Sequence, residues 1–311
     1  MRFGLCCLFK KEPVSFRTAT AKSLLALVRD RQLEKLSEIC FHNASNLYLA
    51  LQTVDRLGIG AFRIMSPLFP RMTHPVVGYR LEDLPQGNNI RQKLEDSRIF
   101  ARKHDIRLSF HPDQFVVLSS PHAQVVENSI RELEYQGMLA DAVGADVINI
   151  HAGGAYGDKS QTLQRLKDVL PHLSAAVRKR LTLENDDASY TPRDLLPFCE
   201  RFSIPFVYDV HHHRCNPDDL SVEQVTTLAE DIWKNVGKEL YGHISSPRSG
   251  WQGGNPKSHA AYIDQADFPA CWSGRKMTVD VEAKAKELAV MALMDGMKGH
   301  LNAPVPCMSS L

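Results

Sequence analysis

The sequence predicts a single (β/α)8 TIM barrel of the α/β class, with a doubly wound open sheet as the runner-up. Three observations point there. Eight short runs rich in apolar and β-branched residues recur along the chain, longer stretches with helical spacing separate them, and 311 residues suit eight such units. Length alone suggests about two domains, but α/β barrels routinely run roughly 250 residues as one. The expected division is a barrel domain over 1–300 and a loose tail over 301–311, where prolines and serines break any periodicity.

The eight runs are Arg2–Cys7, Ala61–Met65, Arg107–His111, Asp146–His151, Arg180–Glu184, Pro205–Val210, Tyr241–Ser245 and Met277–Glu282. The stretch between the first two has room for two helices, Thr18–Val28 and Glu34–Leu57. Ser129–Val143 carries Ile130, Leu133, Met138, Ala142 and Val143 on one side, and Gly144 reads as its stop. Thr191 followed by Pro192 is a start signal, an N-cap with proline at the first helical position. Ser221 is a second such cap, before Val222, Val225 and Leu228.

Composition excludes several classes. Lys and Arg total 37 against 36 Asp and Glu, a formal charge of +1, so the chain is neither a globally basic nucleic-acid coat nor an acidic tail protein. A local basic groove remains compatible with that balance. The seven cysteines are odd in number and form no CxxC pair, as expected of reduced thiols rather than a disulfide framework or structural zinc site. The apolar start from Phe3 to Phe9 is too short for a signal peptide, and no run of about 18 apolar residues suggests a membrane span. The expected compartment is the cytoplasm and the expected state a monomer.

The chemistry lies in what ends each strand. The third run ends at His111, the fourth at His151, the fifth at Glu184, the sixth carries Asp209 and runs into His211-His212-His213, the seventh holds His243 with His259 in the loop beyond, and the eighth ends at Glu282. In a parallel barrel these carboxyl ends share one face, where active sites sit. A single histidine or glutamate at a strand end is ordinarily a capped or solvated group. Six strands ending this way are another matter, because unpaired carboxylates in an apolar barrel cost several kcal/mol each. Imidazole plus carboxylate without thiolate suits Mn²⁺, Zn²⁺ or Fe²⁺ better than Mg²⁺ or Ca²⁺ alone, and the eight groups His111, His151, Glu184, Asp209, His212, His243, His259 and Glu282 exceed one site, so two or three ions are expected. Glu184 and Asp209 are the candidate bridging ligands, since carboxylates bridge and imidazoles do not. Asp209 and His212 converge only if the strand breaks into a loop after Val210, as Asn216-Pro217 suggests.

Other features read two ways. Gly153-Gly154 with Gly157 is a turn or a phosphate approach. The loop from Pro247 to His259, with Arg248, Trp251 and Lys257, suits a nucleic-acid backbone and an unstacked base, or is simply exposed. Arg63 contacts a phosphate or pairs inside the mouth. Lys10-Lys11 is a solvated pair.

Taken in series, Phe62-Arg63-Ile64, Thr73-His74-Pro75, Ser109-Phe110-His111-Pro112-Asp113-Gln114-Phe115, His151-Ala152-Gly153-Gly154-Ala155-Tyr156-Gly157-Asp158-Lys159, Leu183-Glu184-Asn185-Asp186, Asp209-Val210-His211-His212 and Val281-Glu282-Ala283-Lys284 resemble the UV damage endonuclease family, from about residue 55 to 290. The resemblance implies a barrel related to endonuclease IV and the xylose-isomerase-like barrels. It implies two or three divalent metals, typically manganese with Zn²⁺ or Mg²⁺ as alternatives, and cleavage of damaged double-stranded DNA immediately 5′ to a UV photoproduct or similar lesion. By position, the implied ligands are His74, His111, His151, Glu184, Asp209, His212, His243, His259 and Glu282. Glu184 and Glu282 are implied in catalysis through the metals. Lys284 either stabilises charge on the phosphorane or pairs with Glu282. Gln114-Phe115 stands where the family inserts a Gln–Tyr pair at the lesion, and Arg63, Tyr156, Lys159, Arg248 and Lys257 complete the expected DNA and lesion contacts.

Three departures set this chain apart. Tyr241 replaces a lysine that family members usually carry two residues before the strand-7 histidine. Gly4-Leu5-Cys6 replaces a Gly-Tyr-Pro strand end, and the loop Phe9-Lys10-Lys11-Glu12 also differs. The metal site is retained while the damage-reading edge is remodelled. The alternative function is therefore a metal-dependent isomerase or hydrolase for a small sugar- or nucleoside-like molecule.

Overall fold

The computed structural model describes residues 1–301. The tail expected over 301–311 lies, apart from Leu301, outside the described residues. Eight strands form: β1 (Arg2–Cys6), β2 (Ala61–Ile64), β3 (Arg107–Phe110), β4 (Val147–His151), β5 (Leu181–Glu184), β6 (Phe206–Asp209), β7 (Leu240–Ile244) and β8 (Met277–Val281). They pair in chain order, all parallel, and β1 closes on β8 with Leu5 opposite Val281. This is the TIM barrel read from the sequence.

Ten helices accompany them among the described residues: α1 (Ala21–Leu25), α2 (Arg29–Arg56), α3 (Gly87–Lys103), α4 (Ala123–Val143), α5 (Lys159–Val169), α6 (Ala175–Arg178), α7 (Pro192–Phe202), α8 (Val210–Cys215), α9 (Val222–Asn235) and α10 (Glu287–Leu301). Local chemistry sets their ends. Gly144 closes α4 at φ 77°, a left-handed turn that glycine adopts freely. Thr191 and Asp194 form a capping box ahead of α7, and Ser221 with Gln224 does the same for α9. The long first helix expected over Thr18–Val28 is instead the single short turn α1. Thr20 caps it by accepting from the Ser23 amide at 3.1 Å, and Val28, extended at ψ 158°, interrupts the chain before α2.

Along the strands apolar and polar residues alternate, as the period of two requires. Phe62, Phe110, Ile148, Ile150, Leu183, Val279 and Val281 belong to the continuous apolar core. Their neighbours Arg63, Ser109, Asn149, Glu184 and Asp280 are buried polar groups. Side chains on strands that are not neighbours meet across the lumen: Ser109 Oγ lies 2.8 Å from Tyr241 Oη, and Arg107 Nη1 donates to Thr278 Oγ1 at 3.2 Å. Branched aliphatics fill most barrels of this kind. Here a polar hydrogen-bonded network takes their place and leads up to the mouth.

Candidate metal centre

Glu184 is the hub of the mouth. Its strand ends with the carboxylate 1% exposed, surrounded by histidines from four other segments. Oε2 accepts from His111 Nε2 at 2.9 Å and from the Asn149 side-chain amide, with His151 Nε2 4.0 Å away. Oε1 lies 3.1 Å from His243 Nδ1 and 3.4 Å from His212 Nδ1. Asn149 is itself oriented by Thr182, whose hydroxyl donates to its Oδ1 at 2.8 Å.

Two donor sets share this carboxylate. His111, Glu184 and His243 form one group with ligand atoms within 4.8 Å of one another, and His151, Glu184 and His212 form the other. Asp209 reaches the second group in an unexpected way. The chain does not loop after Val210 but turns directly into α8, with Asp209 as N-cap: its Oδ1 accepts from the His212 amide at 2.7 Å. Capping places residue three of the first turn over the cap, and His212 Nδ1 comes within 3.5 Å of Asp209 Oδ2. Asn185 fixes the corner, its side chain bonding both the amide and the carbonyl of Asp209.

On the other side, Glu282 follows β8 and lies 3.6 Å from His243 Nδ1 and 3.7 Å from His259 Nδ1. Its principal partner is Arg63, whose Nη1 is 2.7 Å from Oε1. Arg63 is 8% exposed and fully committed. Its Nε donates to Asp280 at 2.8 Å and its Nη2 to His243 Nε2 at 2.9 Å. Of the two readings for Arg63, the structure shows the pairing inside the mouth. A guanidinium only donates, so His243 Nε2 accepts and the ring proton sits on Nδ1, against Glu184.

Charge balance explains the protonation states. Burial pushes the Glu184 carboxyl up, but His243, His151 and the bond from His111 hold it well below the usual carboxylate range. Burial likewise opposes ionisation of Glu282, and Arg63 and then His243 overcome it. For His212 burial disfavours the charged ring, yet Asp209 and Glu184 raise its pKa well above the ordinary value. His151 has no such surplus and burial lowers it.

The remaining sequence-derived residues divide. His74 sits on the loop after β2, its Nδ1 accepting from the Val76 and Val77 amides at 3.1 and 3.2 Å, and joins neither donor set. It lines a cleft of about 580 Å³ with Phe115, Asp113 and Arg131. Phe115 is 77% exposed at the tip of the loop after β3, beside exposed Gln114. Tyr156 is half-exposed under the Arg165 guanidinium. Lys159 is tied to Asp194 at 2.6 Å, and Lys257 lies 3.7 Å from Asp187, so neither is a free cation. Arg248 is exposed, its backbone amide bonded to Ser258. Lys284 is exposed and is not the partner of Glu282, which Arg63 holds. Gly153 has φ 91°, and a Cβ there would come within 2.6 Å of Val117, so its backbone conformation and packing already require glycine.

Asp280 and Asn149 are the functional neighbours that strand-end reading misses. Asp280 is wholly buried, and a Cβ on Gly4 would fall 2.0 Å from its Oδ1, so glycine in β1 is what makes room for it. Tyr241, where the resembling family carries lysine, is buried in the lumen between Ser109, Arg107 and the edge of His243. Its phenol is pushed well up by burial, so it is a neutral hydrogen-bonding group.

Comparison with known proteins places the chain by family and fold. The profile of the UV-endonuclease UvdE family matches residues 1–311. A UV DNA damage endonuclease of Bacillus velezensis is 34% identical over 308 residues, spanning 94% of this chain and 93% of its own length. One from Bacillus cereus is 30% identical over 287 residues, spanning 90% and 88%. Among solved structures, that of SacUVDE superposes with a TM-score of 0.84 at 27% identity, over 97% of this chain and 100% of the other. Endonuclease IV from Thermus thermophilus shares the fold, with a TM-score of 0.60 at 14% identity over 96% and 100%.

Proposed function

This chain belongs to the UV-endonuclease UvdE family, and we propose that it is a divalent-metal-dependent endonuclease that hydrolyses the phosphodiester immediately 5′ to a UV photoproduct or similar lesion in duplex DNA. The observation that carries this reading is the pair of donor sets hinged on Glu184 at the barrel mouth.

The residues fit a metal. His151 Nδ1 and Asp209 Oδ2 are buried polar atoms without a hydrogen-bond partner among the described residues, a costly arrangement that a cation at the second donor set would relieve for the carboxylate. The donors are imidazole and carboxylate, the set that Mn²⁺, Zn²⁺ and Fe²⁺ share. His111, His151, His212, His243, Asp209 and Glu184 would hold the ions, with Glu282 and His259 adjoining. His74, a ligand implied by the resemblance, lies outside both donor sets. Bound there, divalent cations supply charge to neutralise the scissile phosphate and to activate water for in-line attack.

The protein's own groups do the positioning. Asn149 holds the Glu184 carboxylate against rotation, and Asn185 holds Asp209 and His212 in register. Arg63 fixes the ring of His243 through Nε2 and anchors Glu282. Phe115 and Gln114 stand exposed at the rim to fill the stack where a damaged base leaves it.

The direct test is nicking of irradiated against untreated supercoiled plasmid, with Mn²⁺ and with chelator. Lesion-dependent, chelator-sensitive nicking is expected. Its absence with every divalent metal tried moves the reading to a small-molecule substrate. Two further outcomes are expected. Manganese titrated into chelator-stripped protein should release protons, because the Nδ1 protons of His212 and His243 face the carboxylates that a cation would take. Affinity should therefore fall as pH falls. Calorimetry in two buffers of different ionisation enthalpy measures this, and identical heats would reject it. Phe115→Ala should leave stability within about 0.5 kcal/mol, since the ring is exposed. It should weaken preference for damaged over intact duplex by about 1–3 kcal/mol, the worth of one base–aromatic stack. Competition binding on the two duplexes reads this directly, and equal preference in variant and parent would remove Phe115 from lesion reading.

A further inference from the structure

Several cations expected at the nucleic acid are internally neutralised, as Arg63, Lys159 and Lys257 show. A different group is not. We propose that the loops following β1 and β8 form a lysine-edged ridge, Lys10, Lys11, Lys284 and Lys286, that binds the phosphodiester backbone of duplex DNA beside the metal centre. This inference rests on the DNA-cleaving reading above.

The ridge is built from both ends of the barrel's closing seam. Because β1 pairs with β8, the loops after them lie side by side. Glu287, at the start of α10, is 1% exposed and spends both carboxylate oxygens on the other loop, accepting from the Lys10 and Lys11 amides at 2.6 Å each. That use of a carboxylate pins the backbone and forms no ion pair with either ammonium group. The far end of the β1 loop is held by buried Asn43, whose side chain bonds both the amide and the carbonyl of Arg17 at 2.7 and 2.9 Å. Glu12, the acidic residue within the loop, is turned away to Arg56.

The β8 side is fixed as firmly. The Lys284 and Ala285 amides donate to the Ala260 and Ala261 carbonyls at 3.0 and 2.9 Å, tying the ridge to the residues next to His259. Lys286 holds φ 55°, a left-handed turn that brings the chain round to Glu287. Lys10, Lys11 and Lys284 are exposed, and none of the four lysines is ion-paired among the described residues. A backbone fixed at both ends spares the loop's own ordering cost, so that only the lysine side chains need be ordered on a polyanion. The ridge adjoins His259 and Glu282, so a strand presenting a phosphate to the metal centre passes along it.

The test is binding of a fluorescein-labelled undamaged duplex across a salt series, followed by anisotropy in Mn²⁺. Each phosphate contact contributes about 0.9 to the slope of log K against log salt. The double variant Lys10→Gln/Lys11→Gln should lower that slope by about 1.8, two such contacts, while keeping the parent's melting temperature. Lys103→Gln, at the far end of α3, should keep the parental slope. If the parent binds steeply and nicks irradiated DNA but the double variant keeps the full slope, the ridge is overturned and the endonuclease reading stands. A parent with no slope and no nicking overturns the endonuclease reading, and the ridge with it.

Discussion

Glu184→Gln is expected to abolish lesion-dependent nicking, with a loss of at least about 10³-fold, because it removes the one carboxylate shared by both donor sets. The substitution is nearly isosteric, so the fold should survive. An amide cannot supply the negative charge, and transition-state stabilisation is lost at a factor of ten for each roughly 1.36 kcal/mol. The amide nitrogen would also face four histidine rings that now point donor or ligand atoms at an anion. Two measurements check this: residual nicking in Mn²⁺, and bound metal after gel filtration. Parental activity with parental metal content would strike Glu184 from the centre.

Arg63→Met is expected to cost about 3–5 kcal/mol of stability, the range for removing one partner of a buried ion pair. Asp280 and Glu282 would be left without their shared cation. Adding Asp280→Asn should recover part of the loss, since it removes one stranded charge, and the two changes should be strongly non-additive. Urea unfolding of parent, single and double variants in chelator gives the cycle. A single variant within about 1 kcal/mol of the parent would show that the pair is not held as described.

Much of the fold was legible because strands and helices announce themselves at different scales. All eight strands match the apolar runs within about two residues, since an inner barrel strand is buried on both sides and cannot hide. The helix after β1 was not legible. Nothing in Thr18–Val28 shows that Thr20 will cap a single turn and that Val28 will leave the helical region. The candidate site was legible as far as strand ends go, and the structure gathers the strand-end histidines and Asp209 round Glu184 and Glu282. Deeper groups escaped. Asp280 and Asn149 lie two residues before Glu282 and His151, on the same inward-facing period, and the alternation of apolar with polar residues carried their signal. The fate of the basic residues could not be read at all. Whether Lys159 meets DNA or Asp194 depends on a contact across 35 positions of chain, which no local pattern encodes.

The seam between β1 and β8 also governs how the molecule is made. Leu5 pairs with Phe62 on one side early, but gains its neighbour on the other side only when Val281 has been synthesised. Until then the first strand presents an open hydrogen-bonding edge, and so does whichever strand was made last. Such edges recruit other chains, and pairings this distant in sequence form slowly. A nascent chain interrupted before β8 would carry nearly all of the helices and histidines and still have two unsealed edges, so it should aggregate rather than persist as a partial enzyme. The same closing step brings the Glu282 segment against Arg63 and His259. Completion of the barrel and completion of the candidate metal centre are thus one event.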